Sequence, residues 1–293
     1  MPKQTGIAAL AAAALIWLLD LAGVAAMAKH APAGLLAAGT MLISGVLGLA
    51  VRKVRARPGL RWRREHWPVA AVSSVLYAGY VVLASYWASL AGLSELAVAF
   101  SLQCLTLLIG LSLVKDLYIR PRTVLSVAVT AIGAVCAMEM GTLADSLLLW
   151  CLVPLGMLLT WTLWLILTLD LAEEYPPDYT VSWQNVWGGL MALPVAIFDP
   201  AGFSAPGCGA LLLFVGGACL WSGGLPLLLR RLKGVNLIAG SILFGTLPVC
   251  CLLGWRLAGE SHPSGLHVFG ASLLCVGVVL ACLDMGGTRK EKE

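Results

Sequence analysis

The sequence predicts an all-α integral membrane protein: ten transmembrane helices folded as two inverted five-helix repeats, with both termini cytoplasmic. Three observations predict it. Hydrophobic residues make up 60% of the 293 residues, charged residues only 12%, and the mean hydropathy is +0.91. Water-soluble domains carry roughly 25% charged residues, so a soluble chain of this composition would expose an aggregating surface. Apolar runs long enough to cross a bilayer recur from one end of the chain to the other. The chain also echoes itself at a single offset.

A hydrocarbon core of roughly 30 Å needs about 20 apolar residues per helix. Such runs fall at about 6–28, 32–51, 67–91, 94–114, 121–140, 144–169, 179–198, 207–230, 235–257 and 264–284. Pro, Gly or charge punctuates them: Pro32, Arg52 to Pro68, Gly92, Pro121, Gly141, Pro176-Pro177, Pro200 to Pro206, Lys233-Gly234 and Pro263. The first run is too long for a signal-peptide core and reads as a retained span. Eight cysteines, among them Cys104, Cys250 and Cys275, lie inside apolar runs without zinc-ligand spacing; they read as small apolar residues.

Basic residues set the orientation. With the N-terminus inside, the inner side collects Lys3, the run Arg52 to Arg64, Lys115, Arg120, Arg122, Arg230, Arg231, Lys233 and the tail from Arg289. The outer side keeps Lys29 and Arg256. The run Arg52–Arg64 reads as a topological anchor beside anionic headgroups rather than a nucleic-acid site.

The echo has an offset of 144: Trp161 falls on Trp17, Pro176 on Pro32, Gly189 on Gly45, Gly223 on Gly79, Gly254 on Gly110 and Gly277 on Gly133. So many matches at one offset argue for an internal duplication, with units 1–143 and 144–293. Five spans per unit is an odd number, so the second copy enters the membrane from the opposite side. Inverted repeats of this kind are common in secondary transporters.

Several motifs then gain meaning. Leu247-Pro248, the Gly259-Glu260 elbow and Gly277-Val278 close the second copy; Trp161 and Gln184 open it; Leu-Ile-Trp17 stands near the start of the first. In these features the chain resembles the EamA-type, two-repeat branch of the drug/metabolite transporter superfamily. The resemblance implies a ten-helix fold in which helices one, three, four, six, eight and nine surround a central cavity, and transport of small metabolites, often export, often driven by a proton or substrate gradient. It implies no catalytic chemistry and no cofactor. Two motif positions differ between the copies, Pro248 against Cys104 and Glu260 against Asp116. The second helix lacks the Arg that many members carry there.

An ionisable group within the hydrocarbon costs roughly 2.5–3.5 kcal/mol and usually faces a wet pathway. Asp20, one turn from Trp17, is the clearest case. It is either a cavity carboxylate for a cationic group or a proton, or an acid satisfied by neighbouring hydroxyl and backbone groups. Its repeat partner is Trp164, one turn from Trp161. Tyr77, Tyr80 and Trp87 share one stripe of helix three; Tyr80, near mid-depth, reads as a cavity residue, and packing is the better reading of the other two. Gln103 either binds substrate or joins two helices. Glu95 is a gate or proton acceptor, or a solvated helix start. Trp221 is a deep cavity candidate, and Pro248 frees a carbonyl and suggests a hinge. Positions where the copies disagree, Asp20 against Trp164 above all, are where cargo recognition is expected.

The expectation is a secondary active transporter in the cytoplasmic membrane, moving a small polar metabolite by alternating access. Acids outnumber bases within the spans and tryptophan is plentiful, which favours an amino acid, amine or organic cation. A non-transporting membrane receptor or assembly subunit would instead have a dry, closed centre. A lipid-carrier flippase would need a basic headgroup pocket, and no Lys or Arg is placed inside the membrane to build one. No nucleophile with a nearby base, phosphate loop or metal spacing points to an enzyme. Cargo, direction, coupling ion and oligomeric state, monomer or homodimer, stay open at this level.

Overall fold

The structure, a computed structural model, describes residues 3–55, 62–114, 120–137, 147–198, 202–232, 237–259 and 265–284. Asp116, Glu139, Glu260, His262 and Pro263 lie outside them. The described residues form helices α1 (Lys3–Met27), α2 (Ala33–Val54), α3 (Trp67–Leu90), α4 (Leu93–Ser101), α5 (Gln103–Val114), α6 (Pro121–Ala137), α7 (Leu147–Glu174), α8 (Pro177–Phe198), α9 (Cys208–Leu232), α10 (Leu237–Gly259) and α11 (Gly265–Asp284). Eight segments, with α4 and α5 counted as one, are long and apolar enough to cross a membrane. This is the pattern of a multi-pass membrane protein. The other two expected spans differ for visible reasons. Helix α6 has 17 described residues, and the first half of α8 carries Asp178, Gln184 and Asn185.

Proline and glycine place the boundaries. Pro32 precedes α2, Pro68 lies in the first turn of α3, and α6 and α8 begin on Pro121 and Pro177, where a missing N–H costs no helical bond. Gly92, at φ 94°, makes the left-handed turn between α3 and α4. The fourth expected span is broken at Leu102. There Leu102 N–H bonds Ala99 O and Leu105 N–H bonds Leu102 O, both three residues back. The Ser101 hydroxyl and Cys104 thiol also donate to carbonyls three residues back, a pattern that disturbs the helical ladder. Helix α10, by contrast, runs through Pro248 without interruption.

Polar side chains lie inside, and many large apolar ones lie outside. Ser73, Ser74, Thr168, Gln184 and Asn185 are buried, while Leu15, Val72, Ile109, Val124, Ile132 and Leu159 are exposed. An apolar exterior suits lipid, and polar groups turned inward act as interhelical bonds.

The chain forms two compact units, each built from both halves of the sequence. One comprises residues up to Leu15, Ser94–Pro154 and Arg231 onward; the other comprises Ile16–Leu93 and Leu155–Arg230. In the first unit Ala97, Val98, Ala134, Val249, Leu253 and Leu274 form an apolar core.

The 144-residue offset recurs where α2 and α8 begin, at Ala33 and Pro177. The packing is reciprocal as well. In the second unit a Cβ on Gly45 would lie 2.8 Å from the Val186 backbone nitrogen, and one on Gly189 would lie 2.8 Å from Leu42 Cγ. Val186 is the 144-offset partner of Leu42, as Gly189 is of Gly45. In the first unit Gly133 abuts Leu274 and Gly277 abuts Thr130, again partners at that offset. Reciprocal contacts of this form mark a local two-fold axis. Both seams are antiparallel: Gly34 meets Ala196 while Arg52 meets Asp178, and Thr123 meets Asp284 while Ala137 meets Gly270.

Because backbone atoms line these seams, a side chain there forces the helices apart. Gly45→Val and Gly133→Val are each expected to cost about 1–3 kcal/mol, the usual cost of overpacking, read as a lower thermal midpoint in detergent. Gly216→Ala, which meets nothing within 4 Å, is the control and should lose nothing. Equal midpoints for all three would refute the seam assignment.

Candidate functional site

Asp20, on α1, opens onto a cavity within the second unit, walled by Trp17, Thr40, Tyr77, Tyr80, Ser85 and Trp221. Helices α1, α2, α3 and α9 each supply part of that wall. The space open to the centre of a water molecule is ≈ 20 Å³, room for about one water. Asp20 is only 6% exposed. Its Oδ1, the Thr40 Oγ1 and the Ser85 Oγ are all buried without a hydrogen-bond partner among the described residues. One such oxygen costs about 1–3 kcal/mol in a protein interior. Three around one cavity mark a place open to a guest that the described residues do not supply.

The aromatic walls are held rigidly. Trp17 Nε1 donates to the Tyr80 hydroxyl at 3.3 Å, and Trp221 Nε1 donates to the Tyr77 hydroxyl at 3.0 Å. Tyr77 and Trp221 are themselves partners at the 144 offset. Behind the tyrosines stand the second copy's tryptophans. Trp164 stacks on Tyr77 at 4.7 Å and 29°, and Trp161 lies 4.8 Å from Tyr80. Electron-rich ring faces beside a carboxyl group suit a cationic guest.

At the positions 144 residues on, the polar groups are satisfied. Trp164 Nε1 donates to Gln184 Oε1 at 3.1 Å; Gln184 Nε2 donates to Ser73 Oγ at 2.7 Å and to Thr168 Oγ1 at 3.1 Å. Every polar atom of that amide is satisfied. At the 144 offset Trp164, Thr168, Gln184 and Ser73 correspond to Asp20, Val24, Thr40 and Gly217. Asp20, Val24 and Thr40 line the cavity, and a Cβ on Gly217 would lie 2.8 Å from Asp20 Cα. The same framework thus carries a filled, satisfied position in one copy and a hollow with unpartnered oxygens in the other.

Of the residues expected from sequence, Asp20, Trp17, Tyr80 and Trp221 meet at the cavity, and Trp161 and Trp164 back its tyrosines. Gln103 belongs to the other unit, where its amide donates to the Ser241 carbonyl at 2.9 Å and its Oε1 has no partner among the described residues. Glu95, half-buried in the first turn of α4, and Pro248, buried in α10, also belong to that unit. Three wall residues escaped the sequence reading. Tyr77 reads from sequence as packing, yet it lines the cavity. Thr40 and Ser85 are inconspicuous short hydroxyls in apolar helices; the available signal was that Thr40 is the offset partner of Gln184.

Unpartnered buried oxygens make the unliganded protein less stable than it could be. Thr40→Val and Ser85→Ala should therefore each leave the thermal midpoint unchanged or raise the stability by up to about 1–2 kcal/mol. Tyr77→Phe, which removes the acceptor of the Trp221 indole, should lower it by about 1 kcal/mol. A fall of the midpoint in the first two variants would mean that their hydroxyls are satisfied in the resting protein.

No family model matches the chain, and no curated protein matches it. Among solved structures, one described only as a crystal structure of a protein superimposes with a TM-score of 0.72, covering 96% of this chain and 98% of its own, at 21% identity. At that identity the likeness extends to the fold alone.

Proposed function

We propose that the chain is a secondary active transporter, with ten membrane spans in two inverted repeats and both termini cytoplasmic, that moves a small cationic or zwitterionic metabolite across the cytoplasmic membrane. The observation that carries the reading is the buried Asp20 carboxyl, unpartnered at Oδ1, in a cavity with two unpartnered hydroxyls and four aromatic walls. A structural acid in hydrocarbon would be expected to find partners. An acid left open to a cavity can hold an ammonium group or a proton.

The inverted repeat is supported by the reciprocal, antiparallel glycine seams. The resemblance to EamA-type transporters rests on the sequence motifs, and the solved structure of like fold adds no function. Asp20 then has two roles: its carboxylate holds the cargo's cationic group, and its proton exchange couples transport to the pH gradient. The cavity holds about one water, so cargo entry requires it to widen, which alternating access provides. The alternative that this small volume favours is a non-transporting membrane subunit.

Uptake into proteoliposomes of a panel of labelled amines and amino acids separates the two. At least one compound should accumulate in response to an imposed pH gradient, and Asp20→Asn should reduce its transport at least about tenfold. If no amine or amino acid accumulates, or if both the gradient and Asp20→Asn leave transport unchanged, the proposed role of Asp20 is wrong.

A further inference from the structure

A second, larger cavity of ≈ 310 Å³ lies in the same unit, at the arginine-bearing end of α2. Arg52, Arg55, Asp178, Ser182, Ser222 and Arg230 supply its polar lining. Charge is unbalanced there: three guanidinium groups face one carboxylate. Asp178 is shared, its Oδ2 lying 3.2 Å from Arg52 Nη1 and its Oδ1 2.8 Å from Arg230 Nη2. One carboxylate offsets one positive charge and leaves about two. Arg55 makes no ion pair among the described residues.

The arrangement is built rather than incidental. Arg52 is 7% exposed, with its guanidinium 5.3 Å from the Tyr179 ring centroid, which fixes its plane. Asp178 lies in the first turn of α8, where the helix dipole favours negative charge. Both serine hydroxyls donate to carbonyls of their own helices, so the donors open to a guest are guanidinium N–H groups.

The seam closes without an ion pair at its other end. At the 144 offset Asp178 and Arg52 correspond to Gly34 and Ala196, which meet at the opposite end of the α2–α8 seam. Two small residues close the seam at one end, and a charged pair stands at the other. Reading the sequence alone found no Lys or Arg within the spans to build a basic pocket. Arg52, at the end of α2 yet buried, does line one.

We propose that this cavity binds a phosphate-type oxyanion, held by Arg55, Arg230 and Arg52, with Asp178 occupying the arginines when the guest is absent. Planar guanidinium groups recognise phosphate oxygens in pairs, and the volume accommodates a phosphate with part of an attached group. The oxyanion belongs either to a soluble phosphate ester or to the headgroup of an anionic lipid. The site is independent of Asp20, and its test reads binding, not transport.

Titration calorimetry with inorganic phosphate, on protein in phosphatidylcholine nanodiscs, is the first arm. The second is native mass spectrometry of phosphatidylglycerol retained from mixed nanodiscs. Saturable phosphate binding supports the site and a soluble guest; selective phosphatidylglycerol retention without phosphate binding supports the site and a lipid guest. In whichever arm binds, Arg55→Gln should weaken it about tenfold, while Arg64→Gln, outside the cavity, should not. Asp178→Asn should tighten it by removing the competing carboxylate. A merely structural ion pair predicts the reverse, because its loss would loosen the cavity. The proposal is overturned if neither probe binds, if Arg55→Gln and Arg64→Gln behave alike, or if folded Asp178→Asn protein binds less.

Discussion

The constraint on which this protein depends is that a polar group buried among apolar helices must find a partner. Gln184 meets it completely. Its amide takes the Trp164 indole proton and gives its own protons to Ser73 and Thr168, tying α3, α7 and α8 together. That bond set holds Trp164 flat against Tyr77 and so fixes one wall of the Asp20 cavity. Asp20, in the cavity that Tyr77 lines, breaks the same rule. The broken rule is informative because the satisfied version stands beside it, built on equivalent positions.

Close helix approach supplies the frame. With apolar lipid outside, helices gain little from hiding leucine and instead gain from contact between backbones. Glycines at 45, 189, 133 and 277 permit that contact in both units. Their reciprocity means that each seam uses one solution twice. Asymmetry then stands out: Asp20 where the copy has Trp164, and Asp178–Arg52 where it has Gly34–Ala196.

Much of this was legible in the residues. The apolar runs marked the helices to within a few residues, and proline and glycine marked their ends, because those residues act locally. Asp20 stood out for the cost of an acid in hydrocarbon. Other features depend on contacts that no local pattern carries. The break at Leu102 arises where Ser101 and Cys104 bond back to the chain, while the helix with Pro248, the more obvious breaker, stays whole. Thr40 and Ser85 are ordinary hydroxyls until three helices bring them around Asp20. Arg52 resembles its exposed neighbours in a basic run, and only burial against Tyr179 and Asp178 sets it apart.

The central claim is that the first copy is hollow where the second is filled, and that the hollow receives the cargo. Installing the second copy's residues in the first, as the double variant Asp20→Trp with Thr40→Gln, tests it directly, with thermal midpoint and proteoliposome transport measured on the same preparation. A protein that folds with an undiminished midpoint and no longer transports is the predicted result. A folded double variant that transports as well as the parent would contradict the account.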